Sequence, residues 1–587
     1  MRYRRNSFTV AVVALLAMLA SAGKAMAQAP PSDLGIPPAS VGAATSAGQP
    51  SSDPMTNLLM LLVQRGVLTR DEAAILQRQA EQQAVGTKAP AADPEGTVRV
   101  PYVPEVVKRD IRNEIKKEVL AQAKEENWAA PNAVPSWVQK FRPYGDVRVR
   151  AEGIFYPEGN DTSGSFTNFN SINTGNPFDA SAANVNFSPQ RNVSEDRFRA
   201  RLRARLGTEI DLSDHFTAGL RIATGESNSP VSTNQSLGAA SGQGGQFSKY
   251  ALWLDRGYLK YEPVKQEKRG FSVSAGRFDN PFFGTTLVWA DSLGFDGAVV
   301  NTKIKINERE SNFLTLGAFP VFNTDLNFTT NQPNQAPTPT SHDKWLFGGQ
   351  YGTDWQVSEK TGVKLAAAYY HFYNVEGELS SPCTVLSTQD RCDTDATRPT
   401  FAQFGNTYRA LRNIIADANN GFGATNQLQY YGFASSFQEL VLTGRVDIAS
   451  YDPFHIRFDG EFVKNLGFDK GKIEQVAVNN RDNPNAPFEG GDTGYYLGMT
   501  VGARTLEKWG DWTASLAYKY VESDAVLDAL TDSDFGLGGT NLKGFILGGN
   551  FALSENVWAG LRWMSADSIA GPPFAVDTIQ FDISGRF

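Results

Sequence analysis

Asp577-Thr578-Ile579-Gln580-Phe581-Asp582-Ile583-Ser584-Gly585-Arg586-Phe587 alternates two kinds of residue. Ile579, Phe581, Ile583 and Phe587 share one parity, while Thr578, Gln580, Asp582, Ser584 and Arg586 hold the other. Side chains in a strand point to opposite faces at period two, so this stretch has one apolar and one polar face. Lipid outside and water inside is the setting that a strand of a transmembrane β-barrel meets. An amphipathic edge strand of a soluble sheet is the competing interpretation of the same pattern.

Working outward, the pattern recurs. Sixteen amphipathic strands are expected at 141–156, 196–212, 214–225, 251–262, 271–278, 295–306, 311–321, 345–357, 362–374, 438–449, 454–466, 494–506, 511–523, 541–553, 555–567 and 576–587. Ile456, Phe458 and Phe462 alternate with His455, Arg457, Asp459 and Glu461, and Phe545, Leu547, Phe551 and Leu553 form another apolar face. Trp509, Trp512, Tyr518, Tyr520, Trp558 and Trp563 are candidates for interfacial girdles. Short links such as Asn307-Glu308-Arg309-Glu310 and Ser358-Glu359-Lys360 alternate with long ones at 157–195, 226–250, 322–344, 375–437, 467–493 and 524–540. Short turns on one side and long loops on the other are a barrel habit that a sandwich has no reason to copy. The fold class expected is therefore all-β: a transmembrane barrel of about sixteen antiparallel strands over 139–587, preceded by a short α-helical region.

The N-terminal part reads differently. Arg2, Arg4 and Arg5 precede an apolar run from Val10 to Ala22, and Ala25-Met26-Ala27 is a small-x-small cleavage site, so 1–27 reads as an export signal. Residues 28–54, dense in Pro, Ala, Ser and Gly, read as a flexible tether. Over 55–130 a helical periplasmic or self-association region is expected. Thr69 and Glu72 form a capping box there, and Val107, Ile111, Ile115 and Val119 line one helix face, as either a short coiled coil or a solvated spacer. Cys383 and Cys392, the two cysteines, stand in a polar segment with no His beside them, which favours a local disulfide over a metal site.

The sharpest chemistry is Arg197-Phe198-Arg199-Ala200-Arg201-Leu202-Arg203-Ala204-Arg205-Leu206. Five arginines occupy one face. Toward lipid each would cost about 2–4 kcal/mol near midplane, so they must face water in the lumen. Arg142, Arg148 and Arg150 extend this basic wall on the preceding strand, and Arg221 on the following one. Two readings stand: a guanidinium track that attracts anions, or arginines neutralised by acids from an inward loop.

The link between the fifth and sixth strands, Phe278-Asp279-Asn280-Pro281-Phe282-Phe283-Gly284 through Trp289-Ala290-Asp291-Ser292-Leu293-Gly294-Phe295-Asp296, is aromatic, acidic and turn-rich. With the export signal, the helical stalk and sixteen strands, it resembles a family of Gram-negative outer-membrane porins, over most of the chain after the signal. The terminal strand ending in Phe587 likewise resembles the signal read by the outer-membrane assembly machinery. In sixteen-stranded porins the third loop folds inward and sets acids opposite a basic wall. The resemblance thus implies Asp279, Asp291 and Asp296 as constriction acids, facing some of Arg148, Arg150, Arg199, Arg201 and Arg203. It also implies a bacterial outer-membrane location and a homotrimer, although the N-terminal helices depart from the plainest porins.

The function expected is a passive channel for ions and small hydrophilic solutes, without catalysis or cofactor, in contact with outer-membrane lipid. An anion- or oxyanion-selective pore is the close alternative. A barrel hydrolase is disfavoured because His215, His342, His371 and His455 are scattered over turns, loops and strands. An adhesin or receptor would use loop 375–437, in which Tyr408 to Ile415 reads as a helical stretch able to cap or plug the pore. The sequence has no phosphate-cradling glycine loop, exposed basic patch or EF-hand spacing, so nucleotide, nucleic-acid and EF-hand calcium chemistry find no support.

Overall fold

Period-two segments hydrogen-bond only to neighbouring strands, so in lipid they must close on themselves and leave no free edge. The computed structural model describes residues 138–587, apart from 181–187, 227–228, 239–244, 246, 324–341, 424–427, 452 and 484. It also describes the isolated helical residues Val63, Asp71, Ala74, Ile75 and Arg78. The expected signal at 1–27, the tether at 28–54 and the rest of the helical region at 55–130 lie outside the described residues.

Sixteen long strands form one closed antiparallel sheet. They are β1 (Phe141–Phe155), β2 (Arg197–Ser213), β3 (Phe216–Thr224), β4 (Leu252–Lys265), β5 (Arg269–Asp279), β6 (Gly294–Asn307), β7 (Glu310–Phe322) and β8 (Lys344–Ser358). There follow β9 (Thr361–Tyr373), β10 (Phe437–Tyr451), β11 (Phe454–Asn465), β12 (Thr493–Ala503), β13 (Trp512–Val521), β14 (Leu542–Ser554), β15 (Val557–Ser568) and β16 (Ala575–Arg586). Each strand pairs with the next in sequence, and β16 closes on β1 from Asp146↔Arg586 to Phe155↔Asp577. Gly145 and Phe587 exchange backbone hydrogen bonds of 2.9 and 3.0 Å at that seam. Where β3 ends, Gln235–Ser236 takes its place beside Leu202 and Arg201 of β2.

Eight long connections emerge at one end: L1 (156–196), L2 (225–251), L3 (280–293), L4 (323–343), L5 (374–436), L6 (466–492), L7 (522–541) and L8 (569–574). The other end carries turns of two or three residues, except for 504–511 between β12 and β13, which is longer than L8.

The outer face is apolar. Phe198, Leu206, Leu220, Leu259, Ile304, Leu316, Leu365, Leu442, Leu497, Leu547 and Ile583 are all exposed. A soluble protein rarely shows so continuous an apolar surface, whereas lipid covers it at no cost. Among the described residues no helix is long and apolar enough to cross a membrane. The main buried cluster lies where the loops fold inward. Phe282, Leu287, Trp289 and Leu293 of L3 pack with Tyr370, Phe372 and Phe437 of the wall and with Val526, Leu527 and Phe535 of L7.

The helical reading of Tyr408 to Ile415 is corrected. Tyr408–Ala410 pairs antiparallel with Tyr431–Phe433, and Asn413–Ile414 pairs parallel with Pro382–Cys383. Extension lets Arg412 turn into L5, where Nε and Nη2 donate to Asp395 at 2.7 and 2.6 Å. Pairing with those distant segments overrides the helix and leaves both Leu411 and Arg412 buried. Cys383 and Cys392 form a disulfide in the same loop, with Cα atoms 5.8 Å apart.

Candidate pore site

The arginine face of β2 turns inward because Phe198 and Leu206, at the other parity, take the outer surface. Register then sets Arg148 opposite Arg203 and Arg150 opposite Arg201. Such a stack of like charges stands only if acids are interleaved, and β1 supplies them at the same parity as its arginines. Asp146 accepts from Arg203 Nε at 2.9 Å and from Arg205 Nε at 2.6 Å. Glu152, 2% exposed, accepts from Arg199 Nε at 2.5 Å, and lies 3.6 Å from Arg201 and 3.9 Å from Arg150. Asp582 of β16 receives a two-pronged bond from Arg150, at 2.7 and 2.9 Å.

The remaining acid comes from a loop. Asp534 of L7 accepts from Arg150 Nη1 at 3.0 Å and also from Arg562 of β15. Burial would raise its pKa, but Arg150 and Arg562 override that and hold the carboxyl far below the usual range. Two guanidiniums are less well served. Arg148 reaches Asp582 only at 3.9 Å and donates to Asn234 at 2.7 Å, and among the described residues the buried Nε atoms of Arg148 and Arg201 have no hydrogen-bond partner. Arg197, at the long-loop end of β2, is exposed.

The other expected residues gather elsewhere. Arg221 bonds Asp255 at 2.6 Å and Asp279 at 2.9 Å, and Asp279 also accepts from Arg256 Nε at 2.7 Å. Asp296 pairs with Arg277 at 2.6 Å. These contacts secure the root of L3, where a Cβ on Gly294 would stand 2.7 Å from Arg256 Nη1 and 2.9 Å from Arg277 Cζ, so a side chain there would push those guanidiniums off their acids. Neither Asp279 nor Asp296 forms an ion pair with the β1–β2 ladder. Asp291 is exposed and makes no ion pair among the described residues. Enclosure within the barrel and the nearby Asp532 carboxylate push its pKa up, with Arg562 and Arg203 acting against them.

L3 then crosses to the far wall. Gln350 of β8 clamps Phe283 at both backbone atoms, accepting from its N–H at 2.8 Å and donating to its carbonyl at 2.7 Å. Glu461 of β11 accepts from the Thr285 N–H at 3.0 Å. L7 locks over L3 through Ala290 N–H to the Leu530 carbonyl, 2.9 Å, and Thr531 Oγ1 to the Leu287 carbonyl, 2.7 Å. L5 docks on L7 in turn. Asp524 accepts from the Thr407 N–H at 2.8 Å and Thr407 Oγ1 at 2.5 Å, and Tyr408 donates to Asp528 at 3.2 Å. Burial pushes Asp524 up to about 6 and Asp528 up to about 7, despite those bonds.

Sequence reasoning passed over Asp146, Glu152 and Asp582, although all three alternate in phase with the arginines. It had no signal for Asp534, whose partner Arg150 lies 384 residues away. Among the described residues no group of His, Cys, Asp and Glu is placed to hold a metal ion.

The site is thus a densely paired, largely enclosed charged wall inside a closed barrel, with loops folded into its mouth. Residues 52–587 match a family model described as "putative porin". The chain belongs to that family. No curated protein matches the sequence of this porin. Solved structures with a similar fold include the outer-membrane channel DcaP of Acinetobacter baumannii, at 11% identity over 76% of this chain and 97% of that one, TM-score 0.33. OprB of Pseudomonas putida at high pH matches at 12% over 77% and 95%, TM-score 0.40. OmpF of Salmonella typhi in complex with daunomycin matches at 10% over 76% and 97%, TM-score 0.35. No residue assignment is carried over at these similarities. As a porin, the protein is an outer-membrane channel, and its family and fold point away from an enzyme.

Proposed function

We propose that this porin is a passive diffusion channel for ions and small hydrophilic solutes, with a preference for anions set by the β1–β2 arginine ladder. One observation carries the reading: seven guanidiniums share four carboxylates. Among the described residues, Arg148, Arg150, Arg199, Arg201, Arg203, Arg205 and Arg562 form ion pairs only with Asp146, Glu152, Asp534 and Asp582, with Glu226 acting on Arg201 from further off. The surplus is positive, and charge on a low-dielectric wall raises the local concentration of the opposite ion. Asp291 and Asp532, on L3 and L7, face the same water and moderate that preference. Arg148 and Arg201 are the least-paired members and hold the surplus.

The test is the reversal potential of purified protein in a planar bilayer under a KCl gradient. Wild-type protein is expected on the anion-selective side, and an R148Q/R201Q variant should move toward zero. A cation preference, or a potential unmoved by that variant, would make the ladder purely structural. Cleavage after Ala27, recognition of β16 by assembly machinery and a homotrimer belong to the same proposal. Native mass spectrometry of the extracted protein checks the last.

A further inference from the structure

Beneath L3, on the wall away from the ladder, lies a second charged feature of opposite design. A cavity of about 520 Å3 is lined by Ser272, Asn301, Lys303, Phe313, Lys364 and Phe283, among others. Lys303 points inward because its neighbour Ile304 takes the outer face, and Lys364 does so because Leu365 does. Among the described residues neither ammonium makes a hydrogen bond or an ion pair. The only carboxylate lining the cavity, Glu262, is already held by Lys260 at 3.3 Å and Lys265 at 3.6 Å. Asp354, opposite Lys364 in the β8–β9 register, forms no ion pair with it. Asp354 attracts Lys364 from across the strand pair, while Lys303 and Arg445, the latter committed to Asp459 at 2.5 Å, repel it.

The apolar part is equally defined. Lys364 Nζ stands 4.3 Å from the centre of the Phe283 ring and 4.9 Å from that of Phe313. The Gln350 clamp fixes the backbone of Phe283, which sets the place from which its ring reaches Lys364 before any ligand arrives. Two ammoniums without an ion pair beside two aromatic rings match a solute with a carboxylate at one end and a ring or hydrocarbon body at the other.

We propose that this cavity is a binding subsite for small organic carboxylates with an apolar body, the carboxylate between Lys303 and Lys364 and the body against Phe283 and Phe313. The subsite rests on the channel reading for delivery of its solute, but its occupancy is read without conduction. Isothermal titration of benzoate into the full-length porin in detergent, against a micelle blank, is the experiment. Saturable binding in the range of about 1 mM is expected, with acetate and benzyl alcohol each about tenfold weaker, since each offers half of the ligand. A K303Q/K364Q variant should lose about tenfold in affinity, while K364R keeps most of it. Benzoate binding no better than acetate, or undiminished in the double variant, would overturn the subsite. That result beside an intact anion preference would leave the channel reading standing. Intact binding without stepwise conductance would do the reverse.

Discussion

Two walls of one lumen solve the problem of charge near lipid in opposite ways. On β1, β2, β15 and β16 the arginines are dense and interleaved with acids, so most of their field is spent on neighbours. On β6 and β9 the lysines are few, and their fields reach the water. Charge number is therefore a poor guide to charge effect. What reaches a passing ion is the unpaired remainder, and a crowded wall can leave less of it per residue than a sparse one.

The harshest way to break the comparison is to strip an acid from the crowded wall. Glu152→Gln would leave Arg199, Arg201 and Arg150 without the carboxylate that they share. Losing one partner of a buried pair costs about 3–5 kcal/mol, so the temperature at which the barrel unfolds in detergent should fall markedly. The protein that remains folded should be more anion-selective than wild type. Stability unchanged within error would mean that the ladder is already hydrated and worth little.

Asp534→Asn is the next step down, because it removes the tie from L7 to Arg150 and Arg562. About 1.5–3 kcal/mol of charge-assisted bonding is at stake, and it is local to the loop. Single-channel conductance should rise as L7 loosens. Conductance equal to wild type would show that the L3 contacts of Ala290 and Leu287 hold L7 alone.

A pH series sharpens the contrast between paired and unpaired charge within the loops themselves. Asp524 and Asp528 have pKa values raised to about 6 and about 7, so the packed state binds more protons than the opened one. Their favourable contribution is complete below about pH 4 and is lost as pH rises through 6 to 7. Protease nicking of L5 and L7, normalised to a reference substrate, should accelerate from pH 5 to pH 8. In Asp528→Asn that rise should be smaller. An equal rise in both proteins would exclude Asp528 as the titrating group.

The smallest effect is expected from reducing Cys383–Cys392. The bridge closes a short segment and packs with Val385 in a cluster of its own, apart from the main one. Reduction should loosen that segment by about 2–3 kcal/mol and leave conductance unaltered. A change in conductance would connect the tip of L5 to the pore.

The strands were legible from sequence because lipid and water impose one period on every wall residue, and β16 shows why. Thr578, Gln580 and Ser584 are buried toward the lumen, while Ile583 and Phe587 are exposed outside, as their alternation requires. Arg201 and Arg203 were legible in the same way, since no other face was open to them. Their partners were harder. Asp146 and Glu152 are visible once cross-strand register is known, but register is a property of the pair and not of either strand. Asp534 was illegible, because nothing local to L7 indicates which wall it will meet. The extended run at Tyr408 to Ile415 misled for a related reason. Its helix-compatible spacing was overridden by pairing with Pro382 and Tyr431, distant segments of the same loop.

The bond between Arg150 and Asp582 has a consequence for assembly. It joins the first strand to the last, across 432 residues of chain, and the contact exists only when the ring is shut. Every other strand can zip to its predecessor as a hairpin does, but this seam must be found by two distant ends, the slowest kind of contact to make. A salt bridge placed there acts as a clasp. It rewards the last step of closure and no earlier one, so the residues that tune permeation in the finished protein also favour the sealed ring over an open, lipid-soaked sheet.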